Sequence, residues 1–124
     1  LMTPAEREAV TKSVTTNVNQ ISAAVDNLSR NLKQMKISDA ERKATEEKIN
    51  KLRDSLKAVL KDPTSKEAQR QLKAAKGDVD SLAATAQKYA DLAKGTIESV
   101  KNTVSGLENS FNSIKDSFSS VFNK

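Results

Sequence analysis

The chain has 124 residues, a net charge of +5 and no histidine, cysteine or tryptophan. Those absences exclude disulfide frameworks, Cys/His zinc sites, thiol nucleophiles, haem held through His or Cys, and histidine general bases. The length suits one domain over residues 1–124, and no apolar run approaches the roughly 18 residues that a transmembrane helix needs.

The first helix start is Thr3-Pro4-Ala5-Glu6. It places an N-cap threonine, a proline at the first helical position and a glutamate at the third, which together make a capping box. Val10, Val14, Val18, Ile21, Val25, Leu28, Leu32 and Met35 then recur at steps of three and four. That is a heptad seam, and it predicts a helix over about 3–36. Asn27-Leu28-Ser29 matches the glycosylation acceptor pattern, but Leu28 falls in the seam, so the match is read as coincidence.

Ser38-Asp39-Ala40-Glu41 repeats the box, with Ile37 in the staple position before it. Ile49, Leu52, Leu56 and Val59 carry the same spacing, extended weakly by Ala44 and Thr45, and predict a helix over 39–61. Asp62-Pro63 disfavours helix at Asp62. Thr64-Ser65-Lys66-Glu67 is a third box, followed by Ala68, Leu72, Ala75, Val79, Leu82, Ala86, Tyr89 and Ala93, and predicts a helix over 65–94.

The rhythm continues past Gly95 as Ile97, Val100, Val104, Leu107, Phe111, Ile114, Phe118 and Val121. An unbroken helix from 65 to 122 would run about 87 Å at 1.5 Å per residue and overhang its neighbours by several turns. A break at Gly95, with Thr96 capping a helix over 96–122, gives four helices of comparable length that can close a bundle. Length favours the break by a small margin. The expected fold is all-α: an elongated antiparallel helical bundle with coiled-coil-like heptad seams. It has four helices (3–36, 39–61, 65–94, 96–122), or three if the chain runs helical through Gly95.

The search for chemistry returns little. Glu46 and Glu47 are adjacent and point about 100° apart on a helix, while Asp78 and Asp80 face nearly opposite sides. Such carboxylates belong to solvated faces and pairs such as Glu47 with Lys51. Gly77, Gly95 and Gly106 are too scattered for a phosphate loop, and Ser105-Gly106 lacks a nucleophile elbow. We identify no catalytic, cofactor-binding or metal-ligating residue, and expect a protein that is not an enzyme and carries no cofactor.

Charge and polarity are unevenly placed. Residues 36–76 hold twelve basic and seven acidic side chains. The carboxylates are interleaved and no aromatic is present to stack on a base, so an ion-paired solvent face is expected and nucleic acid is the least favoured partner. From Gly95 to Lys124, thirteen of thirty residues are Ser, Thr or Asn, as are eleven of the first thirty-five. Coiled coils usually solubilise their outer faces with Glu and Lys. Ser, Thr and Asn in that role are a habit of secreted and filament-type helical proteins. The opening Leu1-Met2 is not a native start: a leader has been removed, or Leu1 is a remnant of cloning.

All three phenylalanines fall within the last fourteen residues. Leu107, Phe111, Ile114, Phe118, Val121 and Phe122 form an apolar stripe opposite a Ser/Asn face. The favoured role for the stripe is to close the bundle against the first helix, and the functional role is to bind a partner. The expected function is a non-enzymatic helical interaction module, exported or envelope-associated. It binds a protein partner or self-assembles into a homo-oligomer through an apolar helix face. A lipid-surface protein comes second, and a nucleic-acid-associated protein using residues 36–76 comes third.

Overall fold

The computed structural model describes residues 2–90 and 97–122, with side chains in the last helix described from 98 to 120. It contains four helices: α1 (Pro4–Gln34), α2 (Asp39–Lys61), α3 (Lys66–Ala90) and α4 (Ile97–Phe122). No strand occurs among the described residues.

The first two helices begin where the sequence places a cap, and the third begins one residue later. At α1 the box closes in both directions. Thr3 Oγ1 accepts from the Glu6 N–H at 3.1 Å, and the Glu6 carboxylate accepts from the Thr3 N–H at 3.0 Å. At α2, Ser38 Oγ accepts from the Glu41 N–H at 3.2 Å. The Glu41 carboxylate is used elsewhere, accepting from the Tyr89 hydroxyl of α3.

At α3 the cap is Ser65, one residue later than expected. Ser65 Oγ accepts from the Ala68 N–H at 3.0 Å, and the Ser65 N–H donates to the Asp62 carbonyl at 3.1 Å. That second bond closes a turn over 62–65 with Pro63 in its second position, where proline's fixed φ suits the geometry. Thr64 is therefore an inner residue of the turn. It is buried and accepts from Arg7 Nη1 at 2.9 Å.

The polar ties between helices fix their directions. On α1 and α4, Ser13 meets Ser117 at 2.5 Å, Gln20 accepts from Ser110 at 3.3 Å, and Asn31 donates to Ser99 at 3.2 Å. Rising numbers meet falling ones, so the two helices are antiparallel. Arg42 with the Met35 carbonyl and Arg53 with Asp26 give the same sense for α1 and α2, as Glu41 with Tyr89 and Lys48 with Ser81 do for α2 and α3. The result is an up-down-up-down bundle.

α3 and α4 are separate helices that pack side by side, so the single long helix is excluded. The expected break at Gly95 and the cap at Thr96 lie outside the described residues, as does Ala93. The packing is uneven. α1 lies most closely along α4 and α2 along α3, while the α1–α2 and α3–α4 seams are sparser.

One apolar core runs the length of the bundle. Every seam residue of α1 from Val10 to Met35 is buried, and α2 contributes Thr45, Ile49, Leu52, Leu56 and Val59. Ala44, expected as a weak extension, is exposed. Thr45 takes the inner position and satisfies its hydroxyl by donating to the Glu41 carbonyl at 2.8 Å. α3 is lined by Ala68, Leu72, Ala75, Val79, Leu82, Ala83, Ala86 and Ala90. Tyr89 is only half-buried, since its hydroxyl reaches outward to Glu41. The expected pairing of Glu47 with Lys51 is not among the ion pairs of the described residues, which are Asp26–Arg53, Glu67–Arg70 and Asp80–Lys76.

Two adjacent residues of α4 should respond in opposite directions to the same substitution. Leu107 is fully buried, and Leu107→Ala should cost about 2–5 kcal/mol through lost burial and the cavity left behind. Gly106 is exposed, and a Cβ built there meets nothing within 4 Å. Gly106→Ala should therefore raise stability by about 0.5–1 kcal/mol by removing the entropic cost of glycine within a helix. Urea unfolding of both variants against the parent checks the pair.

Candidate binding cleft

The aromatic-rich stripe of α4 points into the bundle. Leu107 is fully buried, and Phe111, Ile114 and Phe118 are 7%, 3% and 8% exposed. The side chains of Val121 and Phe122, the remaining stripe residues, lie outside those described. Phe111, Ile114 and Phe118 do not simply fill space. With Leu72 of α3 they floor a cleft of about 470 Å³ on the sparse α3–α4 seam. Leu107, deeper and one turn back, is not part of its lining. The cleft lies toward the bundle end that holds the Pro63 turn, where α3 begins and α4 finishes. Leu72 sits on the buried face of α3 between Ala68 and Ala75.

The rim is polar and carries one sign of charge. Gln69, Lys73 and Lys76 stand on α3, and Asn112, Lys115 and Ser119 on α4; no carboxylate lines the cleft. Lys76 Nζ is held by Asp80 Oδ1 at 2.6 Å and stands 5.9 Å from the centre of the Phe111 ring, within cation–π range. Lys73 and Lys115 make no ion pair or hydrogen bond among the described residues. Their ammonium groups are therefore available to an incoming ligand.

Arg70, one residue outside the rim, is not available in the same way. Its guanidinium grips Glu67 through two bonds, at 2.9 and 2.5 Å, and Gln71 adds a third to the same carboxylate at 3.0 Å. These bonds, that from Arg70 first, hold the Glu67 carboxyl down to about 2, and the Arg70 guanidinium is shifted up in return.

A second groove, between α1 and α4, has a different character. Asn17, Gln20, Ala24, Gly106, Asn109, Ser110 and Ser113 line it, with no charged side chain. Elsewhere, Glu46 and Glu47 are exposed on α2. No group of three or more acidic side chains placed to hold a metal occurs among the described residues. Asp78 is half-buried with Oδ2 unpartnered, and Asp80 is committed to Lys76. In the basic stretch, Arg53 is paired with Asp26, as Arg70 is with Glu67. Among the described residues no helix is long and apolar enough to cross a membrane, and Leu60, at 38%, is the exposed large apolar side chain.

Sequence reasoning finds the floor of the cleft from its periodicity, but not its rim. Lys73 and Lys76 are separated from Lys115 by about forty residues, and only the α3–α4 antiparallel packing brings them to one opening. The one local sign is the i, i+3 spacing of Lys73 and Lys76, which puts both on one face of a helix. Compared with models of known protein families, with curated proteins and with solved structures, the chain matches none.

The Glu67–Arg70 pair gives a direct check on the charges beside the cleft. A carboxyl depressed in the folded state stabilises fully above its unfolded value, and that contribution fades as pH falls toward the folded value. For Glu67 the window runs from 4.5 down to about 2. Side-chain NMR titration should place the Glu67 midpoint near the lower figure, and Arg70→Ala should return it toward 4.5. Because the pair is exposed, added salt should narrow the difference.

Proposed function

We propose that this protein is a non-enzymatic helical interaction module, exported or envelope-associated, whose binding site for a protein partner is the cleft between α3 and α4. The observation that carries the proposal is the composition of that cleft: an apolar floor of Leu72, Phe111, Ile114 and Phe118 under a rim with lysines and no carboxylate. Concave apolar sites with a few convergent polar groups are the usual form of a binding site, and this volume lies within their range of about 300–1,000 Å³. The absence of His and Cys, together with carboxylates that are scattered or already paired, supports action by contact over catalysis.

The polar dress of the bundle supports an extracytoplasmic site of action. The outer faces of α1 and α4 are solubilised largely by Ser, Thr and Asn, and no cysteine is present to depend on a reducing compartment. A lipid-surface role has less behind it, because the apolar faces of all four helices are turned inward and Leu60 stands exposed by itself among the described large apolar side chains.

Two tryptophan substitutions test the site. Asn112 is exposed on the rim, so Asn112→Trp should plug the cleft without disturbing the core. Asn109 is exposed on the uncharged α1–α4 groove, and Asn109→Trp is the control. With equal helix content by circular dichroism, retention of a partner from native extract on immobilised protein should fall about tenfold for the first and stay unchanged for the second. Equal retention by both variants would overturn the proposal. Flotation of the parent protein with anionic vesicles would replace it with the lipid reading.

A further inference from the structure

We infer that the occupant of the cleft is an acidic amphipathic helix of another protein, inserting apolar side chains between α3 and α4 while its Asp or Glu residues meet Lys73 and Lys115. This rests on the reading of the cleft as the binding site, and adds which kind of partner it takes. Charge complementarity is the first argument. The opening carries three lysines and no carboxylate, and two of those lysines have no partner among the described residues. An ammonium without a counter-charge beside a low-dielectric floor favours an anionic occupant and repels a cationic one.

The shape of the floor supplies the second argument. Phe111, Ile114 and Phe118 follow one another at steps of three and four along α4. They span two turns, about 10 Å at 1.5 Å per residue. A floor of that length gives room for apolar anchors at i, i+3 and i+7 of an inserted helix. The floor side chains are themselves at least nine-tenths buried. An occupant therefore gains by filling the gap between the helices with its own anchors, and not by covering an exposed patch.

A second copy of this chain does not meet the charge requirement. α4 mixes Glu98, Glu108 and Asp116 with Lys101 and Lys115, and α1 mixes Glu6, Glu8 and Asp26 with Arg7, Lys12, Arg30 and Lys33. Neither offers an acidic margin beside its apolar seam, and the described residues of each seam are already buried in their own bundle.

Three helical peptides of about 15 residues, roughly four turns, test this. All carry the same Leu and Phe anchors at i, i+3 and i+7, and their flanks are Glu, Gln or Lys. Measured by calorimetry on the full chain, the Glu peptide should bind about tenfold tighter than the Gln peptide, with an advantage that fades as salt rises. The Lys peptide should not bind. In the double variant Lys73→Glu/Lys115→Glu the order should invert, and both positions are exposed, so the fold is not at risk. Glu and Gln peptides of equal affinity that are both displaced by Asn112→Trp would overturn the acidic partner and leave the cleft standing as a site. Binding unaffected by Asn112→Trp would overturn both. Anionic vesicles bound in place of the Glu peptide would assign the lysines to a lipid surface and overturn the inference.

Discussion

The seam of α1 is the constraint on which the rest of the bundle depends. Eight apolar side chains from Val10 to Met35 are all buried, and four of the seven before Met35 are valines. Branched side chains of this size pack rigidly but cover little, so α1 cannot bury itself against one neighbour alone. It needs α4 along one flank and α2 along the other; the short connection makes α2 antiparallel to it, and α4 runs antiparallel as well. Residues 35–38 suffice to turn α1 into α2. Once α1 is clothed on both sides, α3 has one place left, against α2 and α4, and the four-helix order follows.

Space within that order is distributed unequally. The bundle places its small side chains on α3, where Ala68, Ala75, Ala83, Ala86 and Ala90 are buried, and its aromatic ones on α4. Small residues let α3 lie close along α2, whose Leu52 and Leu56 fill the space between them. The α3–α4 seam is packed more sparsely, and there the phenylalanines and Leu72 border a gap.

Most of the fold was legible because helices report themselves through spacing. Caps at Thr3 and Ser38 and the 3–4 rhythm of Val10 to Met35 require no knowledge of what lies across the bundle. The errors come from contacts that do. Thr64 looked like a cap by its position in a box, but the turn closed by Asp62 and Ser65 moved the role along by one residue and left Thr64 to Arg7. Glu47 and Lys51 had the spacing for a pair, but an exposed pair gains too little to be enforced, while Arg53 found Asp26 on another helix. Of the cleft, the floor residues were visible as seam positions of two helices. The rim was not, because it is assembled from two helices whose relative rotation is set by the core.

In the proposed binding role, Phe111 and Phe118 serve as core residues and cleft floor at once. A stripe that only closed a bundle would be met by side chains of matching volume on the facing helix, and the opening above it would be dressed in mixed charge. Here the facing helix presents Leu72 between two alanines, and the opening is dressed in lysine and neutral polar groups. Of the three lysines around the opening, Lys76 is paired with Asp80, while Lys73 and Lys115 have no partner among the described residues. Packing explains why the phenylalanines face inward. It does not explain why the gap beside them is edged with unpaired positive charge, and an anionic partner would.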